Sequence, residues 1–211
     1  MQAMILAAGR GERLRPYTDV CPKPLLKIGG KALIVYHIEA LAAAGIDRVV
    51  VNVSWLGEQI EAVLGDGSQF GLNLIYSHES EALETAGGII QALDLLDEQF
   101  IVVNADIYTD YAFENLLEID SAAHLVLVPN PAHNSEGDFC LKDGYLHNDN
   151  GQRYTFAGIA KYHRSFFKGV TAGKQALAPM LRQAAQMGVL RGELYGGCWT
   201  DIGTFERWQS I

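Results

Sequence analysis

Met4-Ile5-Leu6-Ala7-Ala8-Gly9-Arg10-Gly11-Glu12-Arg13-Leu14-Arg15-Pro16 begins as a buried strand and ends as a glycine loop. Its first five residues are apolar without alternation, the pattern of a strand covered on both faces. Gly9 and Gly11 then break the run. Lacking Cβ atoms, they let backbone N–H groups approach the oxygens of a phosphate. Residues 4–31 hold six basic side chains (Arg10, Arg13, Arg15, Lys23, Lys27, Lys31) and two acidic ones (Glu12, Asp19). That window is therefore at +4 on a chain whose net charge is −9. A cationic loop on an acidic protein points to a pocket for a small polyanion and away from a nucleic-acid surface. The Walker A spacing is absent, and the dinucleotide fingerprint lacks its third glycine, where Leu14 stands.

Outward from the loop, strand and helix patterns alternate. Residues 3–8 and 49–53 read as buried strands and 72–76 as a third. Residues 32–44, stopped by Gly45, read as an amphipathic helix, and 57–64, stopped by Gly65, as another. Thr85 is expected to cap a helix begun by Ile89, Ile90 and Leu93, with Gly87-Gly88 allowing close approach. Phe100–Asp106 is a fourth strand with its acid at the carboxyl end. Ligands of open parallel sheets sit beyond such ends, so Asp106 belongs on the same edge as the Gly9–Arg13 loop. It could otherwise cap a segment at 110–118. Residues 124–129 form a further strand. After Pro131, residues 137–163 read as short antiparallel strands with turns at Asp143-Gly144 and Asp149-Asn150-Gly151. Helices are expected at 174–188 and 204–210. The fold class is α/β: a Rossmann-like, mostly parallel sheet flanked by helices, with a small antiparallel part.

The 211 residues suit one domain, 1–211. No apolar run approaches the roughly 20 residues of a membrane span, and the amino end has no basic, apolar leader pattern. Three cysteines without a C-x-x-C spacing (Cys21, Cys140, Cys198) read as reduced thiols, which points to the cytoplasm. Cys21 lies inside the cationic loop, where its neighbours would favour the thiolate.

Leu6-Ala7-Ala8-Gly9-Arg10-Gly11-Glu12-Arg13-Leu14-Arg15-Pro16 with Pro22-Lys23-Pro24-Leu25 resembles the signature of sugar-phosphate nucleotidyltransferases. These enzymes join a nucleoside triphosphate to a sugar 1-phosphate and release pyrophosphate. The resemblance extends to Leu83-Glu84-Thr85-Ala86-Gly87-Gly88, where the family has glycine in place of Glu84, and to Trp199-Thr200-Asp201-Ile202-Gly203-Thr204. The Glu84 departure is similar to the family branch handling N-acetylmuramate 1-phosphate with UTP. Mannose 1-phosphate with GTP, or nucleotide binding without turnover, stay open.

The resemblance implies a nucleotide-binding part over about 1–130 and a sugar-binding part over about 131–211 that also brings the second metal acid. It implies that Leu6, Ala7, Ala8, Gly9, Arg10, Gly11, Glu12, Arg13 and Lys23 hold the nucleotide, with Gly87 and Gly88 against the base. Glu79 stands where the family often carries Gln to read uracil. Lys23 and Arg13 would act on the phosphates, and Asp106 and Asp201 would bind Mg²⁺. Asn104, Thr85, Gly137 and Asp138 are candidates for the sugar. The Glu-Lys-Pro segment common in this half is missing. The substrates are small molecules, with no nucleic acid or membrane, and the chain is expected to be a monomer or weak homodimer. The short carboxyl end after Thr204 leads to the expectation of a monofunctional enzyme. A sugar-phosphate oxygen is already ionised at neutral pH, so no general base is needed, in keeping with the lack of a Ser-His-Asp, G-x-S-x-G or H-E-x-x-H pattern. The task is electrostatic: two polyanions must be brought together.

Overall fold

A computed structural model describes residues 1–149 and 151–211. The chain opens with β1 (Gln2–Leu6), the glycine loop, a one-turn helix α1 (Tyr17–Val20), the hairpin β2 (Lys27–Ile28) and β3 (Lys31–Ala32), and α2 (Leu33–Ala43). Next come β4 (Arg48–Val53), α3 (Gly57–Leu64), β5 (Asn73–His78), α4 (Glu84–Ala92), β6 (Gln99–Asn104), β7 (Ile107–Thr109) and β8 (Ala123–Val128). The second half adds β9 (Phe139–Lys142), β10 (Tyr145–His147), β11 (Arg153–His163), α5 (Leu177–Gln186), β12 (Arg191–Leu194), β13 (Trp199–Asp201) and α6 (Phe205–Gln209).

The main sheet runs β5-β4-β1-β6-β11-β8-β12-β10-β9, and β11 also pairs with β9. The pairs β5–β4, β4–β1 and β1–β6 are parallel. From β6 onward, all pairs are antiparallel except β12–β8. The α/β class stands, but the expectation of a mostly parallel sheet is corrected to a mixed one. The reason lies in 153–163. These residues were expected among short strands, yet they form one strand of eleven residues that lies between β6 and β8. Its pairing with β9 closes β11, β8, β12, β10 and β9 into a small barrel-like ring. The turn at Asp143-Gly144 joins β9 to β10 as expected. That at Asp149-Asn150-Gly151 includes Asn150, which lies outside the described residues.

The unbroken apolar strands follow from burial on both faces. Ala3 and Ile5 of β1, Val49, Val51 and Val53 of β4, and Ile101 and Val103 of β6 pack into one core with α2 and α3. Met4, Val50, Phe100 and Val102 face the other core, with α4 and α5. Each valine, isoleucine, methionine or phenylalanine among them contributes about 1.5–3 kcal/mol relative to exposure. A third cluster (Leu14, Leu26, Ile28, Leu33, Ile202) ties the segment after the glycine loop to the carboxyl-terminal region. The stretch 110–118 carries only a 3-10 turn, Phe113–Leu116. Among the described residues, no helix is long and apolar enough to cross a membrane.

Candidate active site

Parallel pairing of β1 with β4 and β6 brings three carboxyl ends into line, with Leu6 opposite Asn52 on one side and Asn104 on the other. Loops leaving these ends surround a cleft of about 460 Å³. The glycine loop forms one wall. Gly11 has φ +70°, and its carbonyl accepts hydrogen bonds from Leu14 N–H (2.9 Å) and Thr18 Oγ1 (2.8 Å). A Cβ there would lie 3.0 Å from Thr18 Cγ2 and 3.2 Å from Lys23 Cβ, so only glycine fits both the turn and the space. The carbonyl of Thr18 in turn accepts from Trp55 Nε1 at 2.9 Å. Leu6, Ala7, Ala8, Gly9, Gly11, Glu12 and Arg13 line the cleft as expected. Arg10 does not: its guanidinium lies 4.5 Å from the centre of the Trp55 ring.

Across from the loop, buried Lys23 donates to Asp106 Oδ2 at 2.6 Å, joining two residues 83 apart in sequence. Asp106 keeps its side chain 41% exposed, and both residues line the cleft. The strand pair β13–β7 sets Asp201 opposite Ile107, and Ile202 N–H donates to the Asp106 carbonyl at 2.7 Å. The two acids thus sit at the ends of neighbouring segments. Asp201 Oδ1 lies 2.9 Å from His133 Nε2 and 3.1 Å from Arg207 Nη1, yet it is buried and has no hydrogen bond of good geometry. Asp201 is not the cap of α6, because Thr204 accepts the bond from Arg207 N–H. A pair of carboxylates on neighbouring segments suits a hard cation whose remaining ligands are phosphates and waters, and Oδ1 of Asp201 already faces His133 and Arg207. Asp106 and Asp201 are the residues that could hold it.

Another part of the cleft is built on Glu79, buried at 6% exposure. Asn52 Nδ2 donates to its Oε1 at 2.6 Å and Leu83 N–H to its Oε2 at 3.0 Å, while Asn52 Oδ1 accepts from Ala7 N–H at 2.7 Å. This relay fixes the start of the glycine loop to the start of α4. Asn52 was missed in the sequence, although one polar residue within Val49-Val50-Val51-Asn52-Val53 was a readable signal. Gly87 and Gly88 do not face the cleft, which corrects their expected place against the base. They lie inside α4, which starts before them at Glu84, so Thr85 does not cap it. Gly87 is filled in by the 173–175 segment: its N–H donates to the Gln175 carbonyl at 3.1 Å, and a Cβ would meet the Gly173 carbonyl. Gly88 abuts Glu79 and Asn52.

A second cavity of about 450 Å³ adjoins the first, and Glu84, Thr85 and Asn104 line both. Asp138 lines the second cavity. Its Oδ2 accepts from Phe156 N–H at 2.8 Å and from Asn134 Nδ2 at 3.3 Å. Gly137 does not line it; with φ +63° it makes the turn before Asp138, close to Asn130 and Arg153. Glu84 also has positive φ, +61°. For a side chain with a Cβ this region costs roughly 1–2 kcal/mol, which glycine avoids.

Two titratable groups near the cleft are not reactive. Burial pushes the Cys21 thiol up, outweighing Lys27, so the thiolate is not favoured and the reading as a reduced thiol stands. Complete burial lowers His37 to about 4, and its Nε2 is 2.8 Å from the Ile107 carbonyl.

The model of the family described as "Nucleotidyl transferase" matches residues 2–141. The chain belongs to the nucleotidyl transferase family. Among relatives, it is 48% identical over 216 residues to N-acetylmuramate alpha-1-phosphate uridylyltransferase of Neisseria meningitidis, covering 97% of this chain and 94% of that one. It is 44% identical over 126 residues to a mannose-1-phosphate guanyltransferase of Neurospora crassa, covering 58% of this chain and 35% of that one. The nucleotidyl transferase fold is seen again in the inositol-1-phosphate CTP transferase of T. maritima. That structure has TM-score 0.83 at 20% identity, over 98% of this chain and 90% of that one. HddC of Yersinia pseudotuberculosis, complexed with GMP-PN, gives TM-score 0.83 at 22% identity, over 99% and 96%.

Proposed function

We propose that this nucleotidyl transferase moves the uridylyl group of UTP to N-acetylmuramate α-1-phosphate, giving the nucleotide sugar and pyrophosphate. The observation that carries this reading is the 48% identity to the Neisseria enzyme over nearly the full length of both chains. The cleft's chemistry supports it. An oxygen of the sugar 1-phosphate attacks the α-phosphorus, a new P–O bond forms, and the α–β bridging bond breaks as pyrophosphate takes the electron pair. Lys23, held by Asp106, neutralises charge where the two phosphates meet. Arg13 and the N–H groups of the Gly9–Glu12 loop receive the departing pyrophosphate. Mg²⁺ bound by Asp106 and Asp201 would supply charge neutralisation at the phosphates.

Glu79 shapes the base end. Both its oxygens already accept a bond from the protein, but each has a second lone pair, so it can still take the uracil N3–H. Asn104, Thr85 and Asp138 turn toward the second cavity, which takes the sugar. The activity belongs to a cytoplasmic enzyme that returns muramate from bacterial cell-wall turnover to the nucleotide-sugar pool, working as a monomer or weak homodimer.

The test is pyrophosphate release with Mg²⁺, crossing UTP, GTP, dTTP, CTP and ATP with the 1-phosphates of N-acetylmuramate, N-acetylglucosamine, glucose and mannose. Turnover is expected for UTP with the muramate. Preference for GTP with mannose 1-phosphate would overturn the reading. Triphosphate binding with no turnover of any pair would make the protein a nucleotide-binding homologue.

A further inference from the structure

Glu84 is one of three residues with side chains that hold positive φ among the described residues. The other two lie in the turns at Leu56 and Asp143. Glu84 differs in its place. It opens α4 on the wall shared by the two cavities and lines both. A strained backbone at a ligand wall is retained where the side chain is needed there, since glycine would relax the strain.

The carboxylate has acceptor capacity to spare. Among the described residues no hydrogen bond ends on Glu84; its nearest charged partner is exposed Lys174, whose Nζ is 3.6 Å from Oε1. Among the other acids of the two cavities, Asp106 is engaged by Lys23, Glu79 by Asn52 and Leu83, and Asp138 by Phe156 N–H and Asn134; Glu12 belongs to the glycine loop and lines only the first cavity. Each hydroxyl of a sugar carries a donor hydrogen beside its acceptor lone pairs, so its site needs some acceptors that the fold has left unused.

We infer that Glu84 is a specificity-determining residue whose carboxylate accepts hydrogen bonds from hydroxyl or amide N–H groups on the sugar half of the substrate. The inference rests on the sugar 1-phosphate reading given above. Lys174 lies on the 173–175 segment that is bonded to α4 through Gly87 N–H and the Leu83 carbonyl. Lys174 is exposed and lines neither cavity.

The experiment compares wild type with Glu84→Gly and Glu84→Gln, measuring KM for each substrate and the melting temperature. Glu84→Gly is expected to raise the KM for the sugar 1-phosphate by about tenfold or more, the loss of a hydrogen bond to a charged group. Its KM for UTP should stay within about twofold, and its melting temperature should match wild type or exceed it by about 2 °C as strain is relieved. Glu84→Gln keeps the strained backbone and one acceptor oxygen and is expected to fall between the two. A lower melting temperature with unchanged KM values would reduce Glu84 to a favourable charge at a helix start and overturn the inference. A rise in the KM for UTP alone would assign the carboxylate to the nucleotide and overturn it as well. If wild type ignores N-acetylmuramate 1-phosphate, the parent reading fails, and the same comparison on whichever sugar 1-phosphate is turned over still tests Glu84. With none turned over, both fall.

Discussion

The two cavities are nearly equal in volume, and the polar groups on the wall they share are held differently from the set Lys23, Asp106, Glu79 and Asn52 in the first. In the first cavity, one set of charged and amide groups is bonded together before any ligand arrives: Lys23 to Asp106, Glu79 to Asn52, Asn52 to Ala7 N–H. On the wall shared by both cavities, Glu84, Thr85 and Asn104 have no hydrogen bonds from the protein to their side-chain oxygens among the described residues, while Asp138, on the second cavity alone, accepts from Phe156 N–H and Asn134. The first arrangement is preorganised for charge that develops during reaction, where reorientation would waste binding energy. The second keeps capacity for a hydroxyl-rich partner, where selectivity comes from matching donors to acceptors.

Five measurements break or sharpen that contrast. The largest effect is expected for Lys23→Ala, which removes the central cation and leaves Asp106 unpaired. Its kcat/KM should fall by roughly 10²–10³ in the pyrophosphate-release assay, and a loss under tenfold would mean that the cleft is not built around this pair. Next comes the acid limb of stability, because His37 is buried neutral beneath the cleft. Its folded pKa of about 4 lies below the value near 6.5 of an unfolded histidine. The unfolded chain therefore binds a proton first. Its contribution is complete above about pH 6.5 and fades as the pH falls toward 4. Urea unfolding should show about 2 kcal/mol less stability from this group at pH 5 than at pH 7, a difference that shrinks in His37→Leu.

Gly11→Ala forces a left-handed residue against Thr18 and Lys23. The cost is roughly 1–2 kcal/mol, so the melting temperature should drop by about 2–8 °C while the KM for UTP rises. On the sugar side, Asp138→Asn weakens the bond to Phe156 N–H and is expected to cost about 1 kcal/mol of stability. Its KM for the sugar 1-phosphate should rise with that for UTP unchanged; the reverse pattern would dissolve the division between the cavities. The smallest effect is expected for Arg10→Ala, since Arg10 stacks on Trp55 and not on the cleft. Activity should change by less than about threefold, the scale of an exposed cation–π contact.

How far the sequence could be read follows the same division. The glycine loop, Lys23 and Asp106 were legible because phosphate binding demands particular residue types at short spacing, and the apolar strands pointed to where the carboxyl ends must gather. Asp201 was legible only through its Trp199–Thr204 motif, as nothing local ties it to Asp106; the pairing of β13 with β7 does that. Arg10 shared the composition of the loop but not its direction, which depends on Trp55 far along the chain. Gly87 and Gly88 read as a ligand surface, but glycine permits close approach by protein as readily as by nucleotide, and here the 173–175 segment and Glu79 took the space. The long β11 was hidden because Gly158 and the bulge between Phe156 and Ala160 interrupt its pattern.

That strand also governs the order in which the molecule can be assembled. As the chain is synthesised from its amino end, β6 emerges with one edge bare, and the partner for that edge is β11, made much later. An uncovered edge is a template for pairing with other chains. The amino-terminal half therefore cannot finish ahead of the rest. A fragment ended near residue 130 would be an aggregation hazard to the cell instead of a smaller nucleotide-binding protein.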